Sequence, residues 1–463
     1  IEKEYDTTTD ATEALKKSLT ADSIRLTGVI DGDDATIGID PAHPVTANFV
    51  DANAGYGKSL TIGGTFTLTG ADAKNYSNID AASLTPPPTG LKGNIRQKTV
   101  TIGFKAGKNF NKTYDGTPDV KDEINPKKPV GTNVLELTGV AGGEDLKLNN
   151  SDITAKYMTG KGASDKERSN AGTNVDIAYK NIKLADGTTG KAKNYRLVDA
   201  AGNVLYREGL AGEPTDMTKP ENSANPRYIG AVKTDGATFW GTGDIKKRKI
   251  DAGAFTVSGK PKVYDGKDYL VVDGTKRKVQ GTVDKEAGKA GDTGKNVIEA
   301  DEDKLKFTIS AADNKAYYKN SATSATTTKD VYDATTNPNG AQFLSYTLKA
   351  SDTTNGETLA NYELDFGGGV TRALTTSDTY DVTGKATITP RDITLKLVKN
   401  TGIDKVYDGN ADVLAADRQF GANFGYADGT TDKNKLVEGD GAKIEAKTAV
   451  YKKKTGAPEA ADK

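Results

Sequence analysis

Lys112-Thr113-Tyr114-Asp115-Gly116 returns as Lys262-Val263-Tyr264-Asp265-Gly266 and as Lys405-Val406-Tyr407-Asp408-Gly409, with a degenerate first copy at Lys3-Glu4-Tyr5-Asp6. An isoleucine stands seventeen residues before the lysine of each full copy: Ile95 before Lys112, Ile245 before Lys262 and Ile388 before Lys405. A fixed interval set among variable ones marks the rigid junction of a repeated module. Tyr5 to Tyr114 is 109 residues, Tyr114 to Tyr264 is 150 and Tyr264 to Tyr407 is 143, so insertions fall between fixed framework points. The expected division is therefore fourfold: 1–96, lacking an opening strand; 97–246, with long insertions; 247–390, with an insertion; and 391–463, truncated.

The residues around each box read as strands. Thr99-Val100-Thr101-Ile102 alternates polar with apolar side chains, as Ile393-Thr394-Leu395 does at the matching place, and Ile250 sits where Val100 and Ile393 sit. That period suits a half-buried strand. Asp-Gly in the box supplies the positive φ of a tight turn, so the box reads as a strand end running into a turn, with lysine and tyrosine on one face. Next comes a strand with an acidic turn, Leu26-Thr27-Gly28-Val29 before Gly32-Asp33-Asp34 and Leu137-Thr138-Gly139-Val140 before Gly143-Glu144-Asp145. An Asn-Tyr pair then recurs at Asn75-Tyr76, Asn194-Tyr195 and Asn361-Tyr362, where a buried tyrosine can lock a strand corner through its hydroxyl. A closing strand ending at Ile95, Ile245 or Ile388 flows without a linker into the next opening strand, which restricts hinge motion. Helix signals are scarce, with a short turn of helix expected between Ala11 and Leu19. The expected fold is all-β, a tandem array of small immunoglobulin-like sandwiches forming an elongated rod, with β-grasp-like modules as the alternative.

Composition narrows the function. Hydrophobic residues make up 35 % of the 463, with 20 Tyr and 11 Phe, enough for several thin β cores but not one large one. Sixty-three basic against 64 acidic residues leave a formal charge of −1, so no net field draws the chain to nucleic acid. Cysteine is absent, which excludes disulfides, thiol catalysis and Cys-based zinc sites within the sequence. No apolar run reaches the roughly 18 to 20 residues of a membrane span, and the N-terminus does not read as a signal peptide. The chain begins almost on a box and stops inside the fourth copy, so it reads as a segment of something longer.

The order K-x-Y-D-G, L-x-G-V-x-x-G-D-D, N-Y-x-L and G-x-I-T-P-R resembles the YDG-type repeat domains, akin to the mostly-β MBG repeats, of filamentous-haemagglutinin-like bacterial surface adhesins. Ile388-Thr389-Pro390-Arg391 is similar to the family's closing-strand signature, and Tyr5 through Ile95 resembles one minimal unit. Tyr5-Asp6 lacks the glycine, and the fourth copy lacks an Asn-Tyr pair. The resemblance implies export to the bacterial cell surface, a stalk or filament role that gives length and stiffness, and adhesion. It implies as partners a host or matrix glycan or protein, like copies in a filament, and an outer-membrane secretion partner. It supplies no catalytic residues.

Sharper chemistry is weighed against plainer readings. His43 is the only histidine, so a His-based triad or multi-His metal site is excluded within one chain. The carboxylates Asp31, Asp33, Asp34, Glu144 and Asp145 stand beside turn glycines, and solvated turn acids are their expected role, ahead of glycosidase chemistry. Calcium is the one cofactor left open, with no ligands assigned, since Asp31-Gly32-Asp33-Asp34 and Glu438-Gly439-Asp440 lack the regular calcium loop. A Lys-Asn isopeptide bond among the recurring lysines and asparagines is weighed against solvated lysines and turn-capping asparagines, and the plainer roles are expected. In the second insertion Tyr206, Tyr228, Phe239 and Trp240 are candidate ligand contacts for a carbohydrate-binding alternative, against the reading that they cover a local core. Tyr317, Tyr318 and Tyr332 fall in the third insertion.

Overall fold

The computed structural model describes residues 1–18, 26–39, 45–81, 91–128, 134–219, 224, 227–255, 262–271, 284–289, 292–309, 315–321, 323–335, 342–397, 410–418, 424–426, 430–442, 444 and 450. His43 and the fourth box, Lys405, Tyr407, Asp408 and Gly409, lie outside the described residues. The chain is all-β and divides into two compact units, Ile1–Lys246 and Lys247–Lys463. Two of the four expected segments fall within each.

In the first unit, two four-stranded sheets share one strand order. Glu2–Glu4, Lys92–Arg96, Gly55–Gly63 and Thr46–Phe49 lie side by side in the first, and Lys112–Thr113, Ala237–Lys246, Gly172–Ile182 and Thr154–Met158 in the second. Each runs box strand, closing strand, long strand, short strand. The box strand pairs parallel to the closing strand of its own segment, with Lys3 opposite Ile95 and Lys112 opposite Ile245. A further sheet orders Leu135–Thr138, Lys98–Phe104, Tyr195–Val198 and Val204–Arg207, where the opening strand runs parallel to the Asn-Tyr strand and Val100 lies opposite Leu197.

The second unit repeats both pairings. Lys262–Val263 runs parallel to Ile388–Thr389 with Lys262 opposite Ile388, and Arg248–Asp251 runs parallel to Tyr362–Asp365 with Ile250 opposite Leu364. Thr379–Ala386 pairs with the long strand Gln342–Asp352, which also carries Lys315–Lys319. Beyond the closing strand, Leu395–Leu397 pairs antiparallel with Phe424–Tyr426. These parallel pairs make the sheets mixed, unlike the wholly antiparallel sheets of an immunoglobulin sandwich. The long excursion from box strand to closing strand serves as the crossover that a parallel pair needs.

Alternating burial explains why these segments are strands. Thr379–Ala386 alternates exposed and buried positions along most of its length, putting Tyr380, Val382 and Ala386 inside. The framework positions read from sequence are the core, since Ile95, Val100, Ile245, Ile250 and Ile388 are all buried. Gly243, two residues before Ile245, is required by close approach, because a Cβ there would stand 2.1 Å from the Phe110 carbonyl oxygen. The single α-helix among the described residues, Thr12–Ser18, follows the first box, with the Thr12 amide donating to Asp10 and Leu15 buried.

Candidate functional site: the box, the acidic turn and the joint between them

The box lysine is buried, not solvated as its residue type suggests. Lys112 is 2 % exposed, and its Nζ donates to Asp115 Oδ1 at 2.7 Å, to the Thr117 carbonyl at 2.6 Å and to the Asp119 carbonyl at 2.9 Å. Lys262 does the same with Asp265 at 2.5 Å and the carbonyls of Lys267 and Tyr269 at 2.6 and 3.0 Å. Lys3 repeats it with Asp6 and the carbonyls of Thr8 and Asp10. The ammonium thus gathers the carboxylate three residues on and the carbonyls five and seven residues on, closing the loop after the box into a ring. Lys112 Nζ also lies 5.2 Å from the ring centre of Tyr157, and Lys262 Nζ 5.6 Å from that of Tyr318, so each ammonium sits over the ring of a distant tyrosine. Burial pushes the Lys112 pKa down, against the pull of Asp115.

The box aspartate and glycine complete the turn. Asp115 Oδ1 accepts from the amide and hydroxyl of Thr117, and Asp265 Oδ1 from the Lys267 amide. Gly116 and Gly266 adopt φ of 78° and 77°, as their Asp-Gly sequences predict. In the degenerate first box Thr7 takes their place at φ 74°, a left-handed conformation that costs a β-branched residue.

The Asn-Tyr pairs form the predicted corner. Tyr195 and Tyr362 are fully buried, and each follows a 3-10 turn, Ala192–Asn194 and Leu359–Asn361. The Tyr195 hydroxyl accepts from the Ala141 amide and donates to Glu144, while that of Tyr362 accepts from Ile298 and donates to Asp301 at 2.9 Å. Tyr76 makes the same pair with Ile30 and, at 2.6 Å, Asp33. One tyrosine hydroxyl therefore pins both ends of the acidic turn.

The acidic turn has a second tyrosine. Glu144 Oε2 receives Tyr195, while its Oε1 receives the hydroxyl of Tyr5, the box tyrosine of the preceding segment, at 2.8 Å. The Tyr5 and Tyr195 rings meet edge to face with centres 5.4 Å apart. Burial and the Glu144 contact push the Tyr5 pKa up to about 12. Asn194 joins the same seam, accepting from the Ala54 amide at 3.0 Å and donating to Asn53, so it bridges segments and does not merely cap a turn. Gln97, the single residue between closing and opening strands, is buried, donates to the Lys193 and Glu208 carbonyls and accepts from Arg207. In the second unit Tyr264 donates to Asp440 at 2.5 Å, and this bond pushes its pKa up to about 12. The Arg391 guanidinium adds a bond to the Tyr264 carbonyl.

These acids are therefore structural ligands and not free turn charges. Asp34 accepts from the Ala71 amide, and Asp145 from the amides of Thr188, Thr189 and Gly190, which hold its carboxyl well below the usual range. Among the described residues no three carboxylate or histidine groups converge as metal ligands. Among the described residues the recurring lysines and asparagines have other partners: Lys112 and Lys262 are ringed by their own loops, and Asn361 donates to the Glu357 carbonyl.

Tyr206, Phe239, Trp240, Tyr317 and Tyr318 lie on strands, whereas Tyr228 and Tyr332 lie on loops. Tyr206 is buried in Val204–Arg207 with its hydroxyl on Glu208. Phe239 packs 4.7 Å from Phe104, which also meets Phe110 and Tyr179, and Trp240 follows on the same strand, half-buried opposite Ala178. Tyr228 is half-buried, with its carbonyl accepting from Arg196. Tyr318 is buried, Tyr317 meets the Tyr269 ring, and the Tyr332 amide donates to the Ile388 carbonyl.

A YDG domain is found at residues 1–84. The match falls on the segment whose box lacks glycine and which holds the Ile30–Asp33 turn and Asn75-Tyr76. No curated protein and no solved structure matches the chain.

Proposed function

We propose that this chain is a structural repeat region of a secreted bacterial surface adhesin or extracellular filament, a spacer that holds adhesive parts away from the cell. The observation that carries this reading is the joint in the first unit, where Glu144 takes one tyrosine from its own segment and one from the segment before it. Such a joint needs no ligand and performs no chemistry; it resists hinging. The lysine ring gives the boxes at Lys3, Lys112 and Lys262 the same shape, and the burial of Tyr206 and the packing of Phe239 on Phe104 argue for packing over glycan contact. Pulling the chain from its two ends tests the mechanical part. Discrete events are expected, the largest releasing about 500 Å for a segment of some 150 residues; smooth extension at low force overturns the reading. Immunogold labelling of intact cells that make the protein tests its location, and label confined to the cytoplasm refutes export.

A further inference from the structure

The outer face of the third segment's sheet is basic. Side chains alternate along its strands, and Phe307, Tyr318, Leu344, Leu348, Tyr380 and Val382 fill the buried face. The positions between them put Lys306, Lys315, Lys319, Lys349 and Lys385 on the outer face, spread over Leu305–Ile309, Lys315–Lys319, Gln342–Asp352 and Thr379–Ala386. Asp381, which accepts from Thr347 Oγ1 at 2.7 Å, is the one carboxylate among the outward positions of these strands. Among the described residues Lys306, Lys319, Lys349 and Lys385 form no ion pair, whereas Lys156, outward on the matching sheet of the second segment, is paired with Asp119 and Glu167.

Aromatic rings stand among these ammoniums. Tyr269 and Tyr317 lie opposite each other on neighbouring strands with ring centres 6.1 Å apart, and Lys315 and Lys267 place Nζ 4.5 and 5.6 Å from the Tyr269 ring centre. The ring thus holds two ammoniums at the edge of the sheet. Half-buried Phe343 is opposite Lys319 on one side and Lys385 on the other, so the two lysines flank it about 9.5 Å apart across three strands.

We infer that this face binds an acidic polysaccharide, a chain of uronate sugars. The apolar C–H side of a pyranose lies on Phe343, the carboxylates of the chain meet Lys319 and Lys385 to either side, and the hydroxyl of Thr383 is placed to bond a sugar hydroxyl. The outward cations of these strands are lysines without an arginine fork, and the Tyr269 ring is already taken up by lysine, which favours carboxylates over the phosphates and bases of nucleic acid. One exposed ammonium grips a carboxylate weakly, so binding requires a polymer that engages several at once. The inference stands on this sheet alone, apart from the aromatic residues of the second insertion and from the spacer reading.

Titration calorimetry of the whole chain with polygalacturonate, neutral dextran and single-stranded DNA tests it. Polygalacturonate is expected to bind, more weakly as salt rises, and dextran is not. Lys319→Gln together with Lys385→Gln, both on the outer face, is expected to weaken binding about tenfold. Lys16→Gln together with Lys147→Gln removes the same charge from the first unit and is expected to change it less than about twofold. In the parent chain, bound polygalacturonate is expected to shield Lys319 and Lys385 from acetylation, a readout that needs no substitution. No binding, equal binding of dextran, tighter binding of DNA, equal losses in the two double variants, or lysines left unshielded would each overturn the inference. None of these results touches the spacer reading, which rests on the joint in the first unit.

Discussion

Replacing Lys112 with methionine keeps most of the stem but removes the ammonium that closes the second box. Three short charge-assisted bonds vanish, Asp115 loses its cation, and the carbonyls of Thr117 and Asp119 lose a donor in a site 2 % exposed. Breaking one partner of a buried pair costs about 3–5 kcal/mol. Asp115 keeps the amide and hydroxyl of Thr117, and burying an ammonium carries its own desolvation cost, so the lower end, about 3 kcal/mol, is expected. Trp240, the sole tryptophan, lies on the strand Ala237–Lys246 that pairs with Lys112–Thr113, so its fluorescence reports this sheet in the intact chain. With a urea slope of about 2 kcal/mol per molar, the midpoint should fall by about 1.5 M. Lys147→Met, at an exposed lysine, should move it by less than about 0.3 M. Equal shifts for the two variants would refute the claim that the box lysine holds the loop.

Thr7→Gly relieves a β-branched residue at φ 74° and is expected to raise stability by about 0.5–1 kcal/mol, read as a higher midpoint in thermal or urea unfolding. Tyr264→Phe removes the bond to Asp440 and is expected to cost about 1.5–3 kcal/mol, seen as faster amide exchange at Asp440 with Tyr362 unaffected. The phenols of Tyr5 and Tyr264 ionise at about 12 in the fold against 10.0 in the free side chain. The unfolded chain therefore loses these protons first, and their contribution, full below pH 10, is lost between pH 10 and 12; a midpoint that stays level over this range in the parent chain would contradict it. Asp145 has the opposite sign, its pKa being depressed by loop amides, so its contribution is full above the ordinary aspartate value and fades as pH falls below it. Asp145→Asn should accordingly flatten the acid limb of the stability profile.

What the sequence disclosed was local. Asp-Gly at 115–116 and 265–266 fixes a left-handed glycine without help from the rest of the chain, and a tyrosine after a short turn has one good place for its hydroxyl. The role of the box lysine was hidden because its burial is a tertiary fact: the Tyr157 ring, 45 residues on, lies beside the Lys112 ammonium, and Ile245, far beyond, stands opposite Lys112 in the sheet. Residue type alone favours a solvated lysine. The recurrence of lysine at one interval from an isoleucine was the available signal, since a solvated side chain has no reason to keep its place. Glu144 was harder still, for its second partner Tyr5 lies 139 residues away and no short motif joins them. Phe239 and Trp240 misled through the expectation that an insertion makes loops, when this one supplied much of the long closing strand.

The parallel pairing of box and closing strands carries a consequence for how the chain acquires its shape. Lys3 waits for Ile95, Lys112 for Ile245 and Lys262 for Ile388, separations of 92, 133 and 126 residues. Contacts so distant along the chain slow folding. A polypeptide emerging from one end through a narrow opening cannot seal any of these sheets until the last strand of that stretch has arrived, so it stays threadable while in transit and locks stepwise behind the exit.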